Sequence, residues 1–181
     1  LLSFLPYPGR NDSNKSTLPK LMVETFLPGL RHLQNIHPLI VHFPIALLMS
    51  AALFYLLALI IRKDPFATTA FFLLVLGAIS ACVAAGTGLY AEDGVMVSFS
   101  VREHLLEHHE QLMLTTTGLS IILTVWAIIA RPFPKKRRII FILLFVVLLA
   151  IMTWGADYGA RMVYDYNAGG DACSQPIDFT K

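Results

Sequence analysis

Four stretches of this chain, residues 43–61, 66–90, 112–130 and 139–156, hold no Asp, Glu, Lys or Arg. Each comes close to or exceeds the roughly 20 apolar residues that a helix needs to cross a bilayer, allowing for ends that reach into the interface. In hydrocarbon a spanning segment must satisfy its own backbone, which a helix does. The chain is therefore expected to be an all-α membrane protein, a four-transmembrane-helix bundle. Its charged residues make up 14% of the sequence, against about 25% in a soluble domain. A soluble fold is excluded on that ground, and no basic, aromatic-rich surface for nucleic acid is present.

The loops set the expected orientation. Arg62 and Lys63 follow the first stretch, and Arg131, Lys135, Lys136, Arg137 and Arg138 follow the third, with Asp64 the one acid among them. Short basic loops stay in the cytoplasm. Both termini and the loop around residues 91–110 are then expected on the outer, periplasmic side of a bacterial inner membrane. Residues 1–35 read as an outer arm. Within it, Leu21, Met22, Phe26, Leu30 and Leu33 recur at near-helical spacing, the pattern of a short helix lying in the interface. Residues 36–166 form the transmembrane domain, and 167–181 a polar, Gly-containing tail. The chain opens at Leu1 rather than at a methionine, as a processed or incomplete sequence would.

The unusual polar chemistry gathers at the outer end. His37 and His42 open the first span, and His104, His108 and His109 open the third. Ser100-Val-Arg-Glu103 has the form of a capping box, so the third helix is expected to start well before its apolar run. Ionisable side chains at the mouth of a transmembrane helix are costly and usually have a partner or a task. Spans one and three run in the same direction and, with sequential neighbours packed side by side, lie diagonally across the bundle. With adjacent axes 8–10 Å apart, the diagonal is about 12–14 Å, a gap that a haem iron with one imidazole on each side can bridge. Cofactor sites in bundles are built from facing side chains of this kind.

Depth favours His42 and His109 as the axial pair, since each borders the apolar run of its helix. His37 and His104 lie further out, as a second pair, alternative ligands or water-facing side chains. Arg161 and Arg102 are placed to meet haem propionates through paired donors, or else to pair with Asp157, Glu103 or Glu107. Around a regular helix His37 and His42 differ by about 140°, so they serve different partners. Pro38 suits a first turn, whereas Pro44 removes a bond inside a helix; the span either starts at Pro38 and kinks or starts nearer Pro44. At the other end of span two, Ala81, Ala84, Ala85, Gly86 and Gly88 would let a helix or a flat ligand come close.

Other chemistries are weaker matches. His104-Leu-Leu-Glu-His108 has the inverted zinc-peptidase pattern, yet a third ligand and a catalytic lobe are wanting. Glu103, Glu107 and Glu110 resemble part of a di-iron set, but no Glu-x-x-His occurs on the other helices. Cys82 and Cys173 form no framework, and no C-x-x-C-H motif for covalently attached haem is present.

His37-Pro-Leu-Ile-Val-His42-Phe-Pro, together with GTGLYAEDG from Gly86, HEQLML from His109 and WGADYGARMVYDYNAG from Trp154, resembles the bacterial membrane proteins grouped as domain of unknown function 2231, over about residues 35–169. The resemblance implies a four-helix membrane domain, found in some relatives beside c-type cytochrome modules and suspected of carrying haem b. The positions matching the family pattern are His37, His42 and His109.

The expected function is a b-type cytochrome subunit of a respiratory or photosynthetic-type redox complex. Such a subunit would relay electrons between quinol or a membrane partner and a c-type cytochrome, breaking no bonds itself. The alternative is a cofactor-free accessory subunit that scaffolds a larger membrane complex.

Overall fold

The computed structural model describes residues 36–92, 101–130, 132–134, 136–166 and 168. The outer arm, its interfacial helix and the tail beyond Ala168 lie outside the described residues. Among those residues the chain is entirely helical, with four helices long and apolar enough to cross a membrane: α1 (His37–Ile61), α2 (Asp64–Glu92), α3 (Arg102–Ala130) and α4 (Arg138–Tyr164). All four charge-free stretches thus lie within helices, each longer than the stretch that marked it.

Pro44 decides how α1 begins. Lacking an N–H, it cannot bond the Ile40 carbonyl, and the next bond, Ile45 N–H to the Val41 carbonyl, is stretched to 3.5 Å. The helix therefore starts with Pro38 in its first turn, breaks at Val41 and resumes at His42. At its far end Arg62 adopts the left-handed conformation (φ 58°, ψ 36°) and caps the helix, a role usually taken by glycine. The turn delivers Asp64 and Pro65, an acid and a proline suited to a helix start, and the Thr68 hydroxyl donates to the Asp64 carbonyl. Helix α3 opens with a π-helical turn, Arg102–Leu106. The Ser100 capping box falls on a residue outside those described.

Packing follows chain order. α1 lies against α2 and α4, and α3 against the same two, so α1 and α3 stand on a diagonal. Close approach of α1 and α2 depends on Gly77, where a Cβ would come within 2.8 Å of Leu48 Cδ2. The main core runs from Met152 and Leu48 down to an aromatic cluster of Tyr55, Phe133, Phe141 and Phe145. There the Tyr55 hydroxyl, fully buried, donates to the Pro132 carbonyl at 3.1 Å, and Arg138 lies over the Phe133 ring. A smaller cluster of Val101, Leu105, Leu106 and Met162 closes the opposite end. Large apolar side chains such as Leu53, Phe72, Ile122 and Ile140 point outward, as they do where lipid rather than water is the solvent.

Candidate functional site

At the end of the bundle opposite the basic loops, two histidines turn inward. His37, in the first turn of α1, is half-buried against α2. His109, one turn into the regular part of α3, is half-buried against α4. Each rests on a glycine: a Cβ at Gly88 would lie 2.9 Å from His37 Cε1, and one at Gly159 would lie 2.9 Å from His109 Cε1. The two rings stand on diagonal helices at the same end of the bundle. Each half of the molecule thus repeats one arrangement, a histidine at the start of a helix seated on a glycine near the end of the next.

A hydrogen bond fixes the tautomer of the His109 ring, and His37 is held by a contact of its own. His109 Nδ1 lies 2.7 Å from the Gly155 carbonyl oxygen, which only accepts, so Nδ1 carries the proton and Nε2 the lone pair. His37 Nδ1 lies 3.1 Å from Thr87 Oγ1. The same hydroxyl lies 2.9 Å from the Ala84 carbonyl oxygen one turn earlier on α2. Holding Nδ1–H as the Gly155 carbonyl holds it in His109 is how proteins orient a histidine that coordinates through Nε2.

The residues expected from the sequence divide around this pair. His37, like His109, is half-buried, whereas His42 is exposed. The break at Val41 and the five-residue separation put His42 on the exposed face, and closeness to the apolar run did not indicate which ring turned inward. His104 is exposed on the π-helical turn. His108 is exposed and stacks on Tyr158, ring centroids 5.6 Å apart. Arg102 pairs with Glu92, Nη1 to Oε1 at 3.1 Å, and its Nη2 donates to the Glu92 carbonyl. Arg161 makes a 3.8 Å contact with Asp165, and its guanidinium lies 6.0 Å from the Tyr158 ring centroid. Neither arginine takes Asp157, Glu103 or Glu107, the partners expected for it.

Among the described residues no three of His, Cys, Asp and Glu come together as a metal-ion site, so the zinc-peptidase and di-iron patterns gain no further ligand. Cys82 is an exposed free thiol, and Cys173 lies outside the described residues. The sequence did not single out Thr87, Gly155 or Gly159 as partners of the histidines. Their signal was the concentration of glycine in GTGLYAEDG and WGADYG, at the closing ends of spans two and four.

No curated protein and no solved structure matches the chain. The family model described as "Predicted membrane protein (DUF2231)" matches residues 33–172, most of the sequence and all four helices, and the chain belongs to that family.

Proposed function

We propose that the histidine end of the bundle holds one haem b, with His37 and His109 as axial ligands, and that the protein serves as an electron-transfer subunit. The observation that carries this reading is the inward pair itself. Two imidazoles from diagonal helices share one end of the bundle, and Nδ1 of each lies within hydrogen-bond distance of an oxygen, so that Nε2 is the nitrogen proposed to coordinate. The donor set fits the group: two neutral imidazoles are a ligand pair for haem iron, and an apolar interior suits the macrocycle's faces. Gly88 and Gly159 leave room for the two imidazoles, which a side chain at either position would crowd.

Bound there, haem would supply one-electron chemistry at a potential set by its ligands, their hydrogen bonds and burial. The chain's own part is positioning. Thr87 and Gly155 keep the two rings from rotating, and Arg161, two residues beyond Gly159 and tied only loosely to Asp165, is the cation available to a propionate. Arg102 is committed to Glu92. With Arg62, Lys63, Lys136, Arg137 and Arg138 in the cytoplasm, the site faces the outer side of a bacterial inner membrane, with both termini outside. It is then within reach of a c-type cytochrome there and of quinol or a partner subunit in the membrane.

The test is a pyridine haemochrome assay and a reduced-minus-oxidised spectrum of protein purified with haem supplied. A b-type α band is expected, lost in His37→Ala and in His109→Ala and retained in His42→Ala. Absence of the band from the unaltered protein would overturn the reading in favour of a cofactor-free scaffold. Its loss in His42→Ala with retention in His37→Ala would overturn the ligand pair.

A further inference from the structure

Asp157 sits on the outward side of α4, near the histidine end of the bundle. Its side chain is exposed, and it makes no hydrogen bond or ion pair with another described residue. Arg161, one turn further along the same helix, is engaged with Asp165 instead. Counted from Arg138, Asp157 lies roughly 28 Å along the helix at 1.5 Å per residue, close to the thickness of the hydrocarbon core. An ionisable side chain on a lipid-facing surface at that depth is costly unless something meets it.

Asp157 and the exposed Trp154 close one end of an open groove whose apolar length is formed by Met49 of α1 and by Val146, Leu149 and Ala150 of α4. The Thr153 hydroxyl, also in its lining, is bonded back to the Leu149 carbonyl at 2.8 Å. The carboxyl group of Asp157 and the indole N–H of Trp154 are thus the polar groups open to a ligand. From Val146 to Asp157 the groove runs about 16 Å. Its volume is about 580 Å³, within the range of roughly 300–1,000 Å³ usual for small-molecule sites.

This lining calls for an amphiphile with a flat, oxygen-bearing head and a long apolar tail. A carboxylate accepts a hydrogen bond, an indole N–H donates one, and the indole face suits a ring. A phospholipid head is a poorer match, because its phosphate would meet a carboxylate with no cation in the lining. The same turn of α4 also serves the histidine pair: the carbonyl of Gly155, between Trp154 and Asp157, lies 2.7 Å from His109 Nδ1. Gly155 and Asp157 are about 200° apart around the axis, so groove and histidine stand about one helix diameter, 10–12 Å, from each other.

We propose that this groove binds an isoprenoid quinol, with Asp157 accepting from a ring hydroxyl, Trp154 against the ring and the tail following Ala150, Leu149 and Val146 into the membrane. The quinol's role as electron donor to the histidine end rests on the haem reading, whereas its binding rests on the groove alone.

The test is anaerobic titration of haem-free, full-length protein in detergent with decylubiquinol and with decylubiquinone. Binding is followed by Trp154 fluorescence in a Trp126→Phe background, which leaves one indole in the chain. Saturable binding is expected, with the quinol held about 10-fold tighter than the quinone because only the quinol donates to a carboxylate. Asp157→Asn should remove that preference. Ala150→Phe, at an exposed position where a larger apolar side chain fills the groove, should abolish binding of both forms, and both variants should keep the b-type α band. Equal affinity for the two forms, unaltered by Asp157→Asn, would overturn the proposal. So would displacement of the quinol by decanol at matching concentration, which would make the groove a bed for any alkyl chain. Haem without saturable quinol binding overturns this proposal alone; quinol binding without haem overturns the haem reading alone.

Discussion

Gly159 lies against His109 so closely that a Cβ on it would meet the imidazole at 2.9 Å from Cε1 and 3.1 Å from Nδ1. The ring cannot simply swing aside, because Nδ1 is held by the Gly155 carbonyl one turn earlier on the same helix. Gly159→Ala should therefore break that bond or push α4 outward, at a cost of about 1–3 kcal/mol for overpacking. Gly88→Ala should do the same to His37. Both variants should lose the low-spin spectrum along with thermal stability in detergent. Gly86 is the control, since a Cβ there meets nothing within 4 Å. Gly86→Ala should leave the spectrum alone and raise stability by up to about 1 kcal/mol, the ordinary gain of alanine over glycine in a helix. Equal effects from Gly86→Ala and Gly88→Ala would show that the glycines serve helix flexibility and not the rings.

Gly155 serves a second purpose, the approach of α3 to α4. A Cβ at 155 would collide with the end of Met113 and come within 2.9 Å of Leu112 Cβ. Met113 is flexible and can move, whereas a Cβ atom is rooted in its backbone. Gly155→Ala should destabilise the protein by about 1–3 kcal/mol, and adding Met113→Ala should not restore it. Denaturant unfolding of the single and double variants measures this directly, and full rescue by the double variant would assign the strain to Met113 instead.

The bundle was legible in the sequence because uncharged length is a one-dimensional property. Residues 43–61 and 139–156 needed no three-dimensional information to be read as spans, and the diagonal placement of α1 and α3 followed from chain order. Which of His37 and His42 turns inward was not legible, because spacing gives the angle between the two rings, about 140°, without saying which one faces the bundle. One withdrawn backbone donor loosens the turn at Val41, and no count of residues reveals which ring then faces inward. On α3, His104 and His108 share a face and are both exposed, whereas His109, about 100° round from His108, is half-buried. The partner of Arg102 was illegible for another reason: Glu92 reaches it from the end of a different helix, α2, a proximity that spacing along one helix does not express.

Arg102 separates a structural ion pair from a cofactor anchor. It is 39% exposed and its partner Glu92 32%, so solvent screens the pair and its contribution to stability is small. Arg102→Gln should cost no more than about 1 kcal/mol and leave haem retention unchanged. Arg161→Gln should loosen haem while hardly altering the unfolding midpoint of haem-free protein. Reversed effects would exchange the two assignments.

Tyr55 tests whether the two ends of the bundle are independent. It lies eighteen residues beyond His37, roughly 27 Å along the helix at 1.5 Å per residue, and its ring is fully buried among Phe133, Phe141 and Phe145. Its hydroxyl ties α1 to the loop between α3 and α4 through the Pro132 carbonyl. Tyr55→Phe removes that one bond and keeps the packing, so a loss of about 0.5–1.5 kcal/mol is expected. Tyr55→Ala also opens a cavity the size of the ring and should cost about 3–5 kcal/mol. Neither change touches the histidines. In membranes where the variants still fold, the optical spectrum and midpoint potential should match those of the unaltered protein, while the thermal midpoint falls in the order unaltered, Tyr55→Phe, Tyr55→Ala. A shift of potential in Tyr55→Phe would mean that packing at the basic end is transmitted along α1 to His37, and the two ends would then have to be treated as one coupled unit.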